Sequence, residues 1–202
     1  NRDVTRRFVT LFNESLVKKL ILGSGSPRRR ELLSELGFSF EVRTKDTDES
    51  CDGVPANEQA LFVAEKKAIA LIDTLAENEI LLCADTVVIH KERTLNKPSD
   101  REEALQMLAS LSGRTHVVTT GIVVYHSGQF IRQSVTTEVE FLTIPTEAIE
   151  RYVDTMRPFD KAGSYGIQEW IGHAFVKRIN GCYYNVVGLP LTKLYNALRE
   201  VT

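Results

Sequence analysis

The sequence predicts a mixed α/β fold, and three observations carry that expectation. Short apolar runs alternate with stretches of helical periodicity along most of the chain. Several neighbouring strands are joined by turns too short for a crossover, which argues against a purely parallel, doubly wound sheet. The chain has 202 residues, 43% hydrophobic and 26% charged. That is enough to bury a real core, and at ~150 residues per domain it gives between one and two domains. No repeat, linker or low-complexity segment divides it, so one compact unit with room for two lobes is expected.

The elements follow in order. Residues 1–16 are mixed, polar and basic, and read as an N-terminal extension of unknown role before a single domain over 17–202. Leu20-Ile21-Leu22 is a short buried strand running into Gly23-Ser24-Gly25-Ser26. Ser26 suits an N-cap and Pro27 the first helical position. The helix continues through Leu32, Leu33 and Leu36, and Gly37 stops it. Phe38 to Val42 alternates like a strand, a long helix spans about Asn57 to Leu75, and Ile80 to Ile89 is a second apolar strand.

Asn96-Lys97-Pro98 is a turn, and Ser99 to Glu102 reads as a capping box for a helix ending at Gly113. Val117–Tyr125 and Gln129–Leu142 form a hairpin around Ser127-Gly128. Thr146 caps a further helix, and a glycine-rich stretch lies at 163–166. Asn180-Gly181 predicts a second hairpin, and Pro190 opens a final helix.

Composition excludes several classes. With 25 Lys+Arg, 27 Asp+Glu and a net charge of -2, no broad basic face for a nucleic-acid polymer is expected. No apolar run approaches the ~20 residues of a membrane span, and no secretory leader is recognisable. The three cysteines (Cys51, Cys83, Cys182) form no C-x-x-C pair, so a disulfide framework is not expected and a cytoplasmic location fits. The four histidines are scattered without zinc spacing.

Three segments carry possible chemistry. Arg28-Arg29-Arg30 occupies the first turn of a helix, where the dipole disfavours cations. At ~100° per residue, Arg29 shares the inward stripe with Leu32, Leu33 and Leu36, Arg28 borders it, and Arg30 points away. A bound polyphosphate resolves the conflict; a solvated basic turn is the alternative. No Walker loop or dinucleotide fingerprint is present.

Asp85 interrupts the apolar run 81–89, where a carboxylate is costly unless paired or metal-bound. Glu41 interrupts a weaker strand in the same way. The segment 157–168 combines Asp160 and Lys161 with two glycines that permit close approach of a ligand. Lys66 and Lys67 lie off the Leu61, Ala68, Ile72 stripe and read as solvated, Lys97 is ambiguous, and Trp170 reads as packing.

Ser24-Gly25-Ser26-Pro27-Arg28-Arg29-Arg30-Glu31-Leu32-Leu33, Ala84-Asp85-Thr86-Val87-Val88, Asn96-Lys97-Pro98 and Leu111-Ser112-Gly113-Arg114-Thr115 together resemble the Maf family of nucleotide pyrophosphatases. Asp160 through Gln168 and Val187-Gly188-Leu189-Pro190 complete the match. The resemblance implies an elongated twisted mixed sheet flanked by helices, with two lobes and a central cleft, as in inosine triphosphate pyrophosphatases. It also implies a homodimer, a divalent cation and hydrolysis of a nucleoside triphosphate to the monophosphate and pyrophosphate.

The Ala-Asp-Thr-Val-Val and Asp-Lys-Ala-Gly-x-Tyr-Gly-Ile-Gln runs resemble the branch acting on dTTP and UTP, not the 7-methyl-GTP branch. By this resemblance Asp85 is the catalytic acid–base residue, and Arg28, Thr86 and Gln168 select the base. Lys67-Ala68 aligns with a family Lys-Ala pair, although Lys66 stands where Glu is common.

The resulting expectation is a small site rather than a polymer surface. Glu41 and Asp85 hold the metal, Mg²⁺ first with Mn²⁺ or Co²⁺ as alternatives. Ser24, Ser26, Arg29, Lys97 and Lys161 cradle the phosphates, with Lys67 a weaker candidate. The alternatives are a nucleotide-binding regulator of cell division with incidental catalysis and a pyrophosphatase for modified nucleotides such as 7-methyl-GTP.

Overall fold

The computed structural model describes residues 18–201; the expected extension, 1–16, lies outside them. The strands are β1 (Lys19–Leu22), β2 (Phe40–Val42), β3 (Glu79–His90), β4 (Arg93–Leu95), β5 (Thr115–His126), β6 (Gln129–Phe141) and β7 (Val176–Asn180). The helices are α1 (Pro27–Glu35), α2 (Ala56–Leu71), α3 (Arg101–Leu111), α4 (Thr146–Met156), α5 (Trp170–Phe175), α6 (Tyr183–Val187) and α7 (Leu191–Val201).

The strands form one mixed sheet in the order β2-β1-β3-β5-β6-β7, with β4 paired to β3 off this path. β1 runs parallel to β2 and β3, each reached through a helix-containing connection. The other pairings are antiparallel. The long β5–β6 hairpin turns at Ser127-Gly128, where both φ angles are positive (47° and 86°), as a two-residue turn between right-twisted strands demands.

The sheet is covered on both faces. One cluster joins α2 to the sheet through Ala64, Ala68, Leu71, Ile21, Leu81, Cys83 and Val123. The larger cluster brings Leu32 and Leu33 of α1, Leu108 of α3, Tyr152 of α4 and Leu194 of α7 onto the other side. Gly121 sets how closely α2 approaches. A Cβ at this position would lie 2.3 Å from the Leu61 Cα, so only glycine lets the helix backbone rest on β5. Gly121 stands directly opposite Asp85 in the β3–β5 register.

Four local expectations are corrected. The stripe of α2 that faces the sheet is Ala60, Val63, Ala64, Ala68 and Leu71; Lys67 lies one turn from both Ala64 and Leu71 and is drawn inward rather than solvated. The long helix gives way after Leu71 to a 3-10 turn, Ile72–Thr74. The cap of α3 is Asp100, which accepts from Glu103 N at 2.9 Å, while the Glu103 carboxylate reaches back to Ser99 N at 2.7 Å. The box is therefore shifted by one residue from Ser99 and Glu102.

Finally, Asn180-Gly181 does not join two strands. After Gly181 the chain enters α6, because Asn185 is fully buried and donates to Val118 O at 3.0 Å and Thr137 Oγ1 at 2.9 Å. Those bonds fold the segment over the sheet instead of extending it.

Candidate active site

The sheet, α1, α2 and the 157–188 segment enclose a cleft of about 690 Å³, within the usual range for a small-molecule site. Among the described residues, six Lys or Arg side chains (Arg28, Arg29, Lys45, Lys67, Lys97 and Lys161) line it against three carboxylates, Glu49, Asp85 and Asp160. A locally positive cleft therefore sits in a chain of net charge -2, which suits a compact polyanion better than a polymer.

The floor is built where β1 turns into α1. Gly23 is required there, since a Cβ would meet the Cys83 Sγ at 2.3 Å. Arg29 is buried on the inner face of α1, Arg28 is half-buried and Arg30 is exposed, as the helical phase dictates. Arg29 donates to Gly188 O and Ser24 Oγ, each at 2.9 Å, and to Thr86 Oγ1 at 3.1 Å. Burial lowers the pKa of its guanidinium and the nearby Asp85 charge opposes that shift. Ser26 occupies the N-cap position of α1 without a side-chain cap, which leaves the helix N-terminus facing the cleft with its dipole positive.

Successive residues of β3 point to opposite faces. Thr86 turns toward Arg29, and Asp85 turns toward α2, where Lys67 Nζ meets its Oδ1 at 2.8 Å. The same ammonium lies 2.8 Å from Glu49 Oε1. Burial alone would lower the Lys67 pKa, but Asp85 and Glu49 outweigh it and hold the group above the ordinary lysine value.

Glu49 was not among the residues singled out from sequence. It sits in an acidic loop whose composition reads as solvent-facing. Lys66 ties that loop to α2 through Asp48 at 3.2 Å and Ser50 O at 3.3 Å, and this tether delivers Glu49 to the cleft.

Glu41 is the misplaced expectation. It lies on the edge strand β2 and is not a lining residue of the cleft. Lys19 takes it at 2.5 Å and Arg43 at 2.9 Å, and Arg43 also binds Glu79 at 2.9 Å. Hydrogen bonds from Lys19 and Arg43 hold the Glu41 carboxyl below its usual range, and Arg43 holds Glu79 down to about 2. This four-membered ionic cluster fixes β2 onto β1 and β3.

The opposite wall comes from residues 160–168. Asp160 accepts from Arg28 Nη1 and from Lys161 Nζ, each at 2.7 Å. Lys161 is buried and also lies 3.1 Å from Glu169, so its charge is fixed in place. Gln168 is a half-buried lining residue whose Oε1 is shielded from solvent and unpaired. Tyr165 backs this wall and is itself held by His116 at 2.7 Å. Burial drops the His116 pKa to about 3, so the ring stays neutral. Lys97 is exposed at the rim. Of the eleven residues given site roles from sequence, ten, all but Glu41, thus lie around one cleft.

The carboxylates of the cleft suit a hard divalent cation. Mg²⁺ is held through one or two carboxylates, with water and phosphate oxygens completing its shell. Asp85 and Glu49, already drawn to a common cation, are a set of that kind.

These features define a mixed-sheet protein with a cationic cleft and an internal carboxylate–ammonium–carboxylate centre. The chain belongs to the Maf family: the model described as "Maf-like protein" matches residues 19–201. It is 46% identical over 190 residues to a dTTP/UTP pyrophosphatase of Parabacteroides distasonis, covering 93% of this chain and 98% of that protein. A dTTP/UTP pyrophosphatase of Chlorobaculum tepidum is 44% identical over 188 residues, covering 91% and 95%. Among solved structures, a HAM1 protein from Coxiella burnetii superposes with a TM-score of 0.51 at 13% identity, covering 91% of this chain and all of that one. The fold is shared with that protein. Among the described residues, no helix is long and apolar enough to cross a membrane.

Proposed function

We propose that the protein hydrolyses dTTP and UTP to the monophosphate and pyrophosphate, clearing these nucleotides from the cellular pool. The observation that carries the reading is the Asp85–Lys67–Glu49 centre inside a cleft of surplus positive charge. The names of the similar proteins supply the substrates.

Asp85 accepts a proton from the attacking water and aims its oxygen at the α-phosphorus. The new bond forms there as the bond to the β-phosphate bridging oxygen breaks, and pyrophosphate leaves with that electron pair. Lys67 keeps both carboxylates oriented. Ser24, Ser26 and the N-terminus of α1, with Arg29, Lys97 and Lys161, meet the phosphate oxygens and offset the charge of the leaving group.

Asp85 and Glu49 are the residues that would hold Mg²⁺, or Mn²⁺ or Co²⁺; the ion would supply charge neutralisation at the phosphates. Arg28, Thr86 and Gln168 read the base. A homodimer and a cytoplasmic location belong to the same reading, on the family resemblance.

With Mg²⁺ present, purified protein is expected to release pyrophosphate from dTTP and UTP, followed by a coupled pyrophosphatase assay against direct phosphate detection. Orthophosphate released without added pyrophosphatase would reject attack at the α-phosphorus.

The two glutamates separate cleanly. Glu49→Gln is expected to lower kcat/KM by about 100-fold, the scale of losing a carboxylate that orients the reacting groups, and to raise the Mg²⁺ needed for half-maximal rate. Glu41→Gln should leave both within about twofold, because loss of an exposed ion pair costs little. Equal effects from the two variants would remove Glu49 from the site.

A further inference from the structure

The cleft is backed by a chain of hydroxyl groups whose proton order can be read from its two ends. Thr86 and Thr120 stand directly opposite each other in the β3–β5 register, with their Oγ1 atoms 2.9 Å apart. At the inner end, Thr120 Oγ1 lies 2.9 Å from the backbone carbonyl of Asn185. A carbonyl only accepts, so Thr120 spends its one proton there. The Thr86–Thr120 contact then requires Thr86 to be the donor. At the outer end Arg29 Nη2, which only donates, approaches Thr86 Oγ1 at 3.1 Å. The order runs from Arg29 to Thr86, to Thr120, to the Asn185 carbonyl.

Thr86 lines the cleft, whereas Thr120 is fully buried and touches none of it. With its proton committed to Thr120 and one lone pair taken by Arg29, Thr86 has a single lone pair left for a ligand. It can meet an N–H or O–H group, but not a phosphate oxygen or a ring nitrogen without hydrogen. We infer that Thr120 is a specificity-determining positioning residue: it holds Thr86 as an obligate acceptor facing ring position 3 of the base, where uracil and thymine present N3–H and cytosine a bare N3, the cytosine 4-amino donor lying at the neighbouring position. The inference rests on the proposed function for its substrate and names the atom that discriminates.

Thr120→Val is close to isosteric and removes only the hydroxyl. The Asn185 carbonyl, in α6, keeps a bond from Gly188 N at 3.1 Å, so it is not left without a donor. The freed Thr86 hydroxyl can then turn its proton into the cleft and accept cytosine.

The experiment compares UTP with CTP by kcat/KM, and UMP with CMP by calorimetry, in wild type, Thr120→Val, Thr120→Ala and Thr120→Ser, with melting curves as a fold check. Wild type is expected to prefer the uracil ligand by at least about tenfold, the Val and Ala variants to lose at least about fivefold of that preference, and the Ser variant to keep it. A preference absent from wild type, a smaller loss in both hydroxyl-free variants, or an equal loss in Thr120→Ser would overturn the proposal. Wild type that binds UMP over CMP yet turns over no UTP would reject the hydrolase reading and leave the relay standing. Failure to bind UMP together with no turnover of UTP would reject both.

Discussion

Asp85→Asn is expected to reduce turnover of dTTP and UTP by about a thousandfold or more, the scale of losing a positioned general base, while the melting temperature changes little. The substitution preserves shape. An amide oxygen at this place still accepts from Lys67, and Lys67 keeps Glu49 at 2.8 Å, so the polar centre stays bonded. What disappears is the basic oxygen that takes the proton from water, together with half of the carboxylate pair that faces the phosphates. Asp85 lies on a strand whose neighbours Ala84, Val87 and Val88 are buried, so the backbone has little room to move a substitute into position. Steady-state pyrophosphate release and a thermal melt on the same preparation decide the matter. A variant that kept more than about a tenth of the wild-type rate would show that Asp85 is not the base.

The reach of the sequence differed from residue to residue, for physical reasons. Arg29 was legible because helical phase is local: three leucines at fixed spacing define the inward face, and the arginine on it must be buried. Asp85 was legible because a carboxylate inside an apolar run is costly. Glu49 was not, since an acidic loop looks solvated until the Lys66 tether places it.

The inward turn of Lys67 is not legible locally: periodicity alone runs the stripe of α2 through Leu61, while Gly121 on a distant strand lets the helix settle onto Ala60 and Ala64. The segment after Gly181 failed in the same way. Its hairpin signature is local, but Asn185 bonds to Val118 and Thr137, far away in the chain. Thr120 drew no notice in the sequence at all, because nothing local distinguishes one threonine of a β-strand from another; its role follows only from register. Local conflict between a residue and its element is visible in one dimension, whereas a bond across the sheet is not.

Arg29→Ala is expected to cost about 3 kcal/mol of stability, because it leaves several buried acceptors unmade at once, and a drop of roughly 10 °C in melting temperature follows for a chain of this size. The guanidinium joins four separate pieces of the site: α1, the turn at Ser24, β3 at Thr86 and the backbone at Gly188. Its removal loosens the phosphate cradle and the base-reading hydroxyl together, so kcat should fall along with stability. Arg29→Lys retains charge but cannot reproduce a fork that reaches three acceptors, and it should recover only a minor part of either loss.

Arg28 supplies the contrast. It is a neighbouring arginine in the same turn, bonded to an Asp160 side chain that is 54% exposed. Arg28→Ala should therefore cost less than about 1 kcal/mol and act mainly on nucleotide selection. Melting curves and nucleotide kinetics on the three variants separate the two residues. Equal destabilisation by Arg28→Ala and Arg29→Ala would mean that burial and bonding of Arg29 contribute no more than a surface ion pair, and the cleft floor would have to be held by its apolar contacts alone.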